Sequence, residues 1–433
     1  MTAFPSFPPD SDTHLATLPN GVRVLAIRLP QLQTVSISLF VRSGSAHESA
    51  ALNGISHVVE HMVFKGTTER DARQINLDAE RLGAEVNAHT DKDHTAFHMR
   101  GLAAHAPRLL RMLADIVRHA TFPEAEFTRE RSVLLHEFTE DEDDPMSTAF
   151  KLFDRAAWGT HALAQPVIGT RANIERFTRA DLVDHVARHY TGANLVVAVA
   201  GPVDATALLR EAEDAFGSMP TGQPNTLDAP AWHGGIQQRA MAGSSQTHLV
   251  LGFPVLPMQA DDPTAALAAA LLGEGMSSPL MDQLREQRGL VYYAACSADL
   301  IDSGGQFIIE ASTSPGQLDE ALTALGTLLA DQAAQVTPQD LARAKNQIRV
   351  RRLRGQEKTG RRLEEAALDA LLLGRLRNRA DWLARMDALD GDAVRRLFAG
   401  MAASGVALAL TGRVPRGSAD RARAHLAAAG LRR

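Results

Sequence analysis

The chain has 433 residues, 45% of them hydrophobic and 22% charged, with a formal net charge of −6. That length exceeds what one hydrophobic core supports and implies two or more domains of roughly 200 residues. The mild acidity argues against a nucleic-acid partner. A lone cysteine, Cys296, rules out an intrachain disulfide. No apolar run approaches the ~20 residues of a membrane span, so no membrane partner is expected.

Residues 1–14 read as an N-terminal extension. Their start carries no basic stretch followed by an apolar one, so a cytoplasmic protein is expected. The alternating segment Thr34-Val-Ser-Ile-Ser-Leu-Phe-Val-Arg42 predicts a strand. After it, Gly54-Ile-Ser-His57-Val-Val-Glu60-His61-Met-Val-Phe-Lys-Gly66 predicts a helix, with Asn53 as cap and Gly66 as stop. His57 and His61 are four residues apart, about 40° around such a helix. Two imidazoles so placed can close on one metal ion while Glu60 stays free to act as a base, the inverted H-x-x-E-H arrangement.

Glu85-Val-Asn87-Ala-His-Thr90 suits a strand edge, where an extended peptide can add through its backbone; Asn87 is then a candidate substrate contact. His89, His94 and His98 are read as strand histidines rather than ligands. Next, Pro123 suits a first helical turn, and Phe127, Leu134 and Phe138 form an apolar stripe. Glu130 and Glu137 lie on the flank of that stripe, only about 20° apart. Carboxylates beside a buried stripe need a partner, and a metal lacking a third ligand is one. The acidic run that follows, to Asp144, predicts a solvated helix end, or a selector for basic peptides if it faces substrate.

The chain also repeats once. Asp181 and Asp392, Val183 and Val394, Gly201 and Gly412 are each separated by 211 residues. The expected organisation is a metal-binding half over 15–216, a Pro- and Gly-punctuated linker over 217–235, and a second half over 236–433. Each half mixes strands with long helices, so the fold class is α+β. Residues 263–272, the counterpart of the histidine helix, have no ligand-type side chain.

His57-Val-Val-Glu60-His61 with Glu137 placed 76 residues after His61 resembles the pitrilysin-type (M16) zinc metallopeptidases, the processing-peptidase-like subgroup in particular. Leu82-Gly-Ala-Glu-Val-Asn87-Ala-His-Thr90, Leu271-Leu-Gly-Glu-Gly-Met-Ser-Ser278 and Leu284-Arg-Glu-Gln-Arg288-Gly-Leu-Val-Tyr292 are similar to that family as well. The resemblance implies two similar halves forming one lobe of a clamshell, and one Zn²⁺ per chain held by His57, His61 and Glu137. It further implies Glu60 as general base for hydrolysis of unfolded peptides, and Arg288 and Tyr292 as substrate contacts. Glu130 would orient a ligand or share proton transfer. A homodimer is expected, since both sets of residues sit on one chain. The rival reading is a silent structural or peptide-binding subunit, or an enzyme active only with a partner chain. Pro279 departs from the family, whose members commonly carry arginine there.

Overall fold

The computed structural model describes residues 12–431, so most of the expected extension 1–14 lies outside the described residues. Thr13–Thr17 (β1), Arg23–Arg28 (β2), Thr34–Val41 (β3), Glu85–Thr90 (β4), Thr95–Leu102 (β5) and Leu195–Gly201 (β6) form one sheet, in the order β1-β2-β6-β3-β5-β4. Gly235–Ala240 (β7), Thr247–Val255 (β8), Val291–Leu300 (β9), Gly305–Thr313 (β10) and Ala407–Gly412 (β11) form a second, in the order β7-β11-β8-β10-β9. Five strands correspond one to one. Each sheet even has its parallel pair in the same place, β2 with β6 and β7 with β11. With helices packed on both sheets, the fold is α+β, and the repeated topology accounts for the repeated sequence.

Alternation along β3 shows how the first sheet is buried. Val35, Ile37, Leu39 and Val41 enter one hydrophobic core, while Ser36, Ser38 and Phe40 are buried on the other face. A sheet with two buried faces needs cover on both. The core face is covered by helices of the same half, Ile55–Val63 (α1) and Ala106–Arg118 (α3, after the Ala72–Arg81 helix α2) among them. Over the sheet lies helix Thr359–Leu368, which packs on β2, β3 and β6. Arg23 fastens the end of that segment through the carbonyls of Ala370 and Leu371. The second sheet is served in the same way by Pro145–Trp158 (α5), which packs on β7, β8 and β11; α5 follows Glu124–Asp143 (α4).

The compact units therefore do not follow the two halves of the chain. Among the described residues, one comprises those up to Phe138, Pro166–Leu227 and Arg354–Arg377; the other comprises Thr139–Gln165, Asp228–Leu353 and those from Asn378 on. The junction at Leu227 falls inside the expected linker 217–235. The exchanged segments were invisible to a division by halves, because periodicity marks a helix and not the sheet it covers.

Candidate metal centre

Helix α1 is amphipathic and nearly all buried: Ile55, Val58, Val59, Met62 and Val63 are at most 1% exposed. Its start differs from expectation. Gly54, not Asn53, is the cap, with φ of 99°. The first N–H groups are satisfied by Glu48, whose carboxylate accepts from Gly54 N–H at 2.7 Å and Ser56 N–H at 2.8 Å. Asn53 Nδ2 donates to the same carboxylate at 3.0 Å. A carboxylate at a helix N-terminus satisfies orphan donors and complements the dipole. Burial pushes the Glu48 pKa up, against those hydrogen bonds. The helix ends at Val63, before Gly66.

Gly54 also makes room. A Cβ there would lie 2.7 Å from the Cα of Gly169 and 3.0 Å from the carbonyl oxygen of Ile168. Only glycine tolerates both this left-handed backbone and that approach.

Helix α4 supplies the opposing face. Phe127 and Leu134 are fully buried, Glu130 is 8% exposed, and the side chain of Glu137 is 44% exposed. His57 Nε2 lies 3.7 Å from Glu137 Oε1, and His61 Nε2 lies 3.5 Å from Glu137 Oε2. One ligand-type atom from each of the three falls within 4.8 Å of the others, the one such cluster among the described residues. The two imidazole centroids are 4.7 Å apart.

The surrounding groups prepare these donors. His61 Nδ1 meets Glu130 Oε1 at 2.9 Å, which leaves its Nε2 aimed at the cluster. This is the carboxylate–histidine pattern that orients metal ligands. Glu130 is itself gripped by Lys65 at 2.6 Å, so His61 of α1 and Lys65, just beyond the helix end, hold the same carboxylate. Burial disfavours charge on Glu130, but His61 and Lys65 outweigh it and lower its pKa. Burial likewise opposes charge on His61, and Glu130, Glu137 and Glu60 overcome it. His57 is pushed down to about 4 by burial and by the charge of His61, so it presents a neutral imidazole near pH 7. Two neutral or oriented imidazole nitrogens and one carboxylate form a His₂Glu donor set, suited to zinc.

Glu60 projects beside this cluster and takes a hydrogen bond from Thr90 Oγ1 at 2.7 Å. Burial raises its pKa; Thr90 and His61 pull the other way, and Glu137 adds to the rise. Thr90 and Lys65 were not singled out in the sequence. Lys65 had a signal, since it stands four residues after His61 on the same face. Thr90 had only its place at the end of a recognised motif.

Asn87 lies elsewhere. It is exposed on the edge strand β4, register partner of His98, and alternation puts it on the face opposite Thr90. It thus stands on the strand edge, on the face away from Thr90 and Glu60.

In the other unit, Tyr292 is 80% exposed. The register of β9 against β10 shifts between Ser312 and Thr313, whose partners are Tyr293 and Val291, so Tyr292 is the extra residue of a bulge. A bulge re-aims a side chain, here outward. The arginine set against its ring is Arg285, 5.7 Å from the centroid and carried on a π-type turn, Asp282–Glu286. Arg288 is exposed, with no hydrogen bond or ion pair recorded among the described residues. Seven-residue spacing before Tyr292 was the missed signal for Arg285.

The acidic run is largely committed locally. Asp144 caps α5 through Ser147 N–H at 2.6 Å, Asp141 pairs with Lys151 at 2.7 Å, and Glu142 pairs with Lys151 and Arg239.

Two histidines from one helix and a glutamate from a second form a His₂Glu cluster that could hold a metal ion, with the Glu60 carboxylate nearby as a candidate base. Comparison with known proteins carries this further. Residues 23–171 match the profile of the family described as insulinase (peptidase family M16), and 176–348 match its companion, the peptidase M16 inactive domain. An uncharacterized zinc protease of Rickettsia felis is 32% identical over 84% of this chain and 88% of its own length. The uncharacterized zinc protease YmxG of Bacillus subtilis is 30% identical over 91% of this chain and 97% of its own. The mouse mitochondrial-processing peptidase subunit beta is 29% identical over 89% and 81%. Among solved structures, a peptidase M16 inactive domain from Pseudomonas fluorescens superposes with a TM-score of 0.86 at 22% identity, covering 94% of this chain and 99% of that one. The chain belongs to peptidase family M16 and resembles its processing-peptidase branch.

Proposed function

We propose that this chain is a zinc-dependent endopeptidase acting on unfolded peptides. The observation that carries the reading is the convergence of His57, His61 and Glu137 within 4.8 Å, with the carboxylate of Glu60 held alongside. His57, His61 and Glu137 would hold one Zn²⁺ per chain. Zinc bound there supplies Lewis-acid chemistry, making water more acidic and a peptide carbonyl more electrophilic. Glu60 accepts the proton of the attacking water and returns it to the leaving amine. Glu130 keeps the His61 ring in the ligating orientation. The exposed edge of β4, with Asn87, takes the extended peptide backbone. Tyr292, with Arg288 or the adjoining Arg285, serves the substrate from the second unit.

The test is metal content together with cleavage of an unstructured fluorogenic peptide, for the native chain and for Glu60→Gln. One zinc in both and hydrolysis only in the native chain supports the reading; a general base contributes on the order of 10²–10⁴-fold. A native chain that binds zinc but cleaves nothing favours an enzyme needing a partner chain. A chain that takes up no metal and cleaves nothing favours the structural or peptide-binding subunit. A gel-filtration mass of two chains is the expected homodimer.

A further inference from the structure

Glutamate has three rotatable side-chain bonds, and a base that wanders among rotamers is a poor one. The hydroxyl of Thr90, 2.7 Å from Oε2, is what restrains Glu60. Thr90 is the last residue of β4 and pairs in register with Thr95 of β5; α1 packs on both strands. The direction of the bond follows from proton accounting. Thr95 gives its proton to the carbonyl of Ser43 at 2.7 Å, and its oxygen is 3.4 Å from that of Thr90. A carboxylate has only lone pairs to offer, so Thr90 donates to Glu60. Among the described residues no hydrogen bond is recorded to the other oxygen, Oε1, which stays available to water.

A restraint is only as good as its own support, and β4 is an edge strand with one neighbour. Its opposite face is bolted down by a chain of hydrogen-bonded histidines. His89 Nδ1 meets His98 Nε2 at 3.2 Å, and His89 Nε2 meets His94 Nε2 at 3.3 Å. Ser38 Oγ closes one end on His98 Nδ1 at 2.7 Å, and Asp93 the other on His94 Nδ1 at 2.7 Å. One proton arrangement satisfies every link: His94 donates from both nitrogens, His89 and His98 each accept at Nε2 and donate from Nδ1, and Ser38 accepts. Thus β3, β5 and the 91–94 turn all hold the residue next to Thr90.

We propose that Thr90 is the positioning residue of the base: its hydroxyl fixes one oxygen of Glu60 and thereby points the other at the reacting water. The proposal rests on the peptidase reading and adds a residue to it. The experiment compares Thr90→Val, which keeps the shape and removes the donor, with Thr90→Ser, which keeps the donor. Both are assayed for kcat, KM and zinc content in the intact protein. The expected result is a kcat about tenfold or more lower in Thr90→Val, part of what a general base contributes. KM and zinc content should be unchanged, and Thr90→Ser should restore kcat. Should Thr90→Val fold poorly, Thr90→Ala against Thr90→Ser makes the same comparison. Unchanged kcat in the variants lacking the hydroxyl overturns the proposal, as does a loss that serine fails to rescue or that tracks lost zinc. A native chain inert with zinc bound overturns the peptidase reading for the isolated chain, and this proposal with it.

Discussion

Buried and half-buried histidines in the first unit tie its stability to pH. His47 is pushed down to about 3, by burial first, with Asp93 opposing; His98 is pushed down to about 4, by burial and then by His89 and Arg100. His185, only 4% exposed between Ser43 and Ser56, falls well below its ordinary value. Each is neutral in the folded chain but titrates near 6.5 once unfolded, so below that pH the unfolded state binds more protons. Their contribution is whole above about pH 6.5 and is lost as pH falls toward 4 and then 3, at up to ~1.4 kcal/mol per pH unit for each. His94 works in the opposite sense. Burial lowers its pKa, Asp93 more than compensates, and its contribution is lost as pH rises through its raised value. Urea midpoints should therefore drop between pH 7 and pH 5, and His185→Gln should flatten that drop. A midpoint flat over that range would contradict the assignment.

At this scale the sequence was most legible where chemistry and spacing coincide. His57, Glu60, His61 and Glu137 follow from helical geometry and a ligand's needs; His57, His61 and Glu137 meet in space, and Glu60 lies close enough to feel the charges of His61 and Glu137. Thr90, Glu48 and Arg285 did not stand out, because threonine, glutamate and arginine are common at surfaces and nothing local marks what they will touch. Tertiary contact gives them their roles.

Among elements, the start of α1 is the sensitive point. Gly54 and Gly169 approach so closely that a Cβ on either would strike the other's backbone. Gly54→Ala adds that clash to the cost of a left-handed alanine, about 1–2 kcal/mol for the backbone alone. Because His57 stands one turn later, the variant should lose zinc affinity as well as thermal stability. Calorimetry and metal titration check this; normal zinc affinity would show that α1 is held from its other end. The cap itself was misread for a physical reason. Asn53 is a good cap residue by type, but the αL conformation of Gly54 and the reach of Glu48 displace it, and its amide serves Glu48 and the Pro166 carbonyl instead. A strand fared better: β3 was visible as alternation.

For the whole molecule, the exchanged helices set the terms. Residues 15–216 made alone would lack Thr359–Leu368, leaving the Ser36, Ser38 and Phe40 face of the first sheet uncovered. That fragment should aggregate or remain partly folded, whereas a chain nicked once within 217–235 should stay folded and active. Circular dichroism of the fragment and activity after limited cleavage decide it. A well-folded fragment 15–216 would show the borrowed helix to be dispensable. The repeat was legible in the sequence as a constant offset; the exchange was not, since both halves contain helices and only packing says which sheet each one covers.

That loan has a bearing on how such a chain can change. The second half has no metal ligands at 263–272, and by chemistry alone it looks free to drift or be discarded. It cannot leave, because the half that carries His57, His61 and Glu137 is roofed by a piece of it, and the dependence runs both ways through α5. A duplication that traded helices became a single heritable unit. Substitutions on 263–272 that keep its core apolar should then be tolerated, and those that dislodge Thr359–Leu368 rejected, although that helix contributes none of His57, His61 and Glu137.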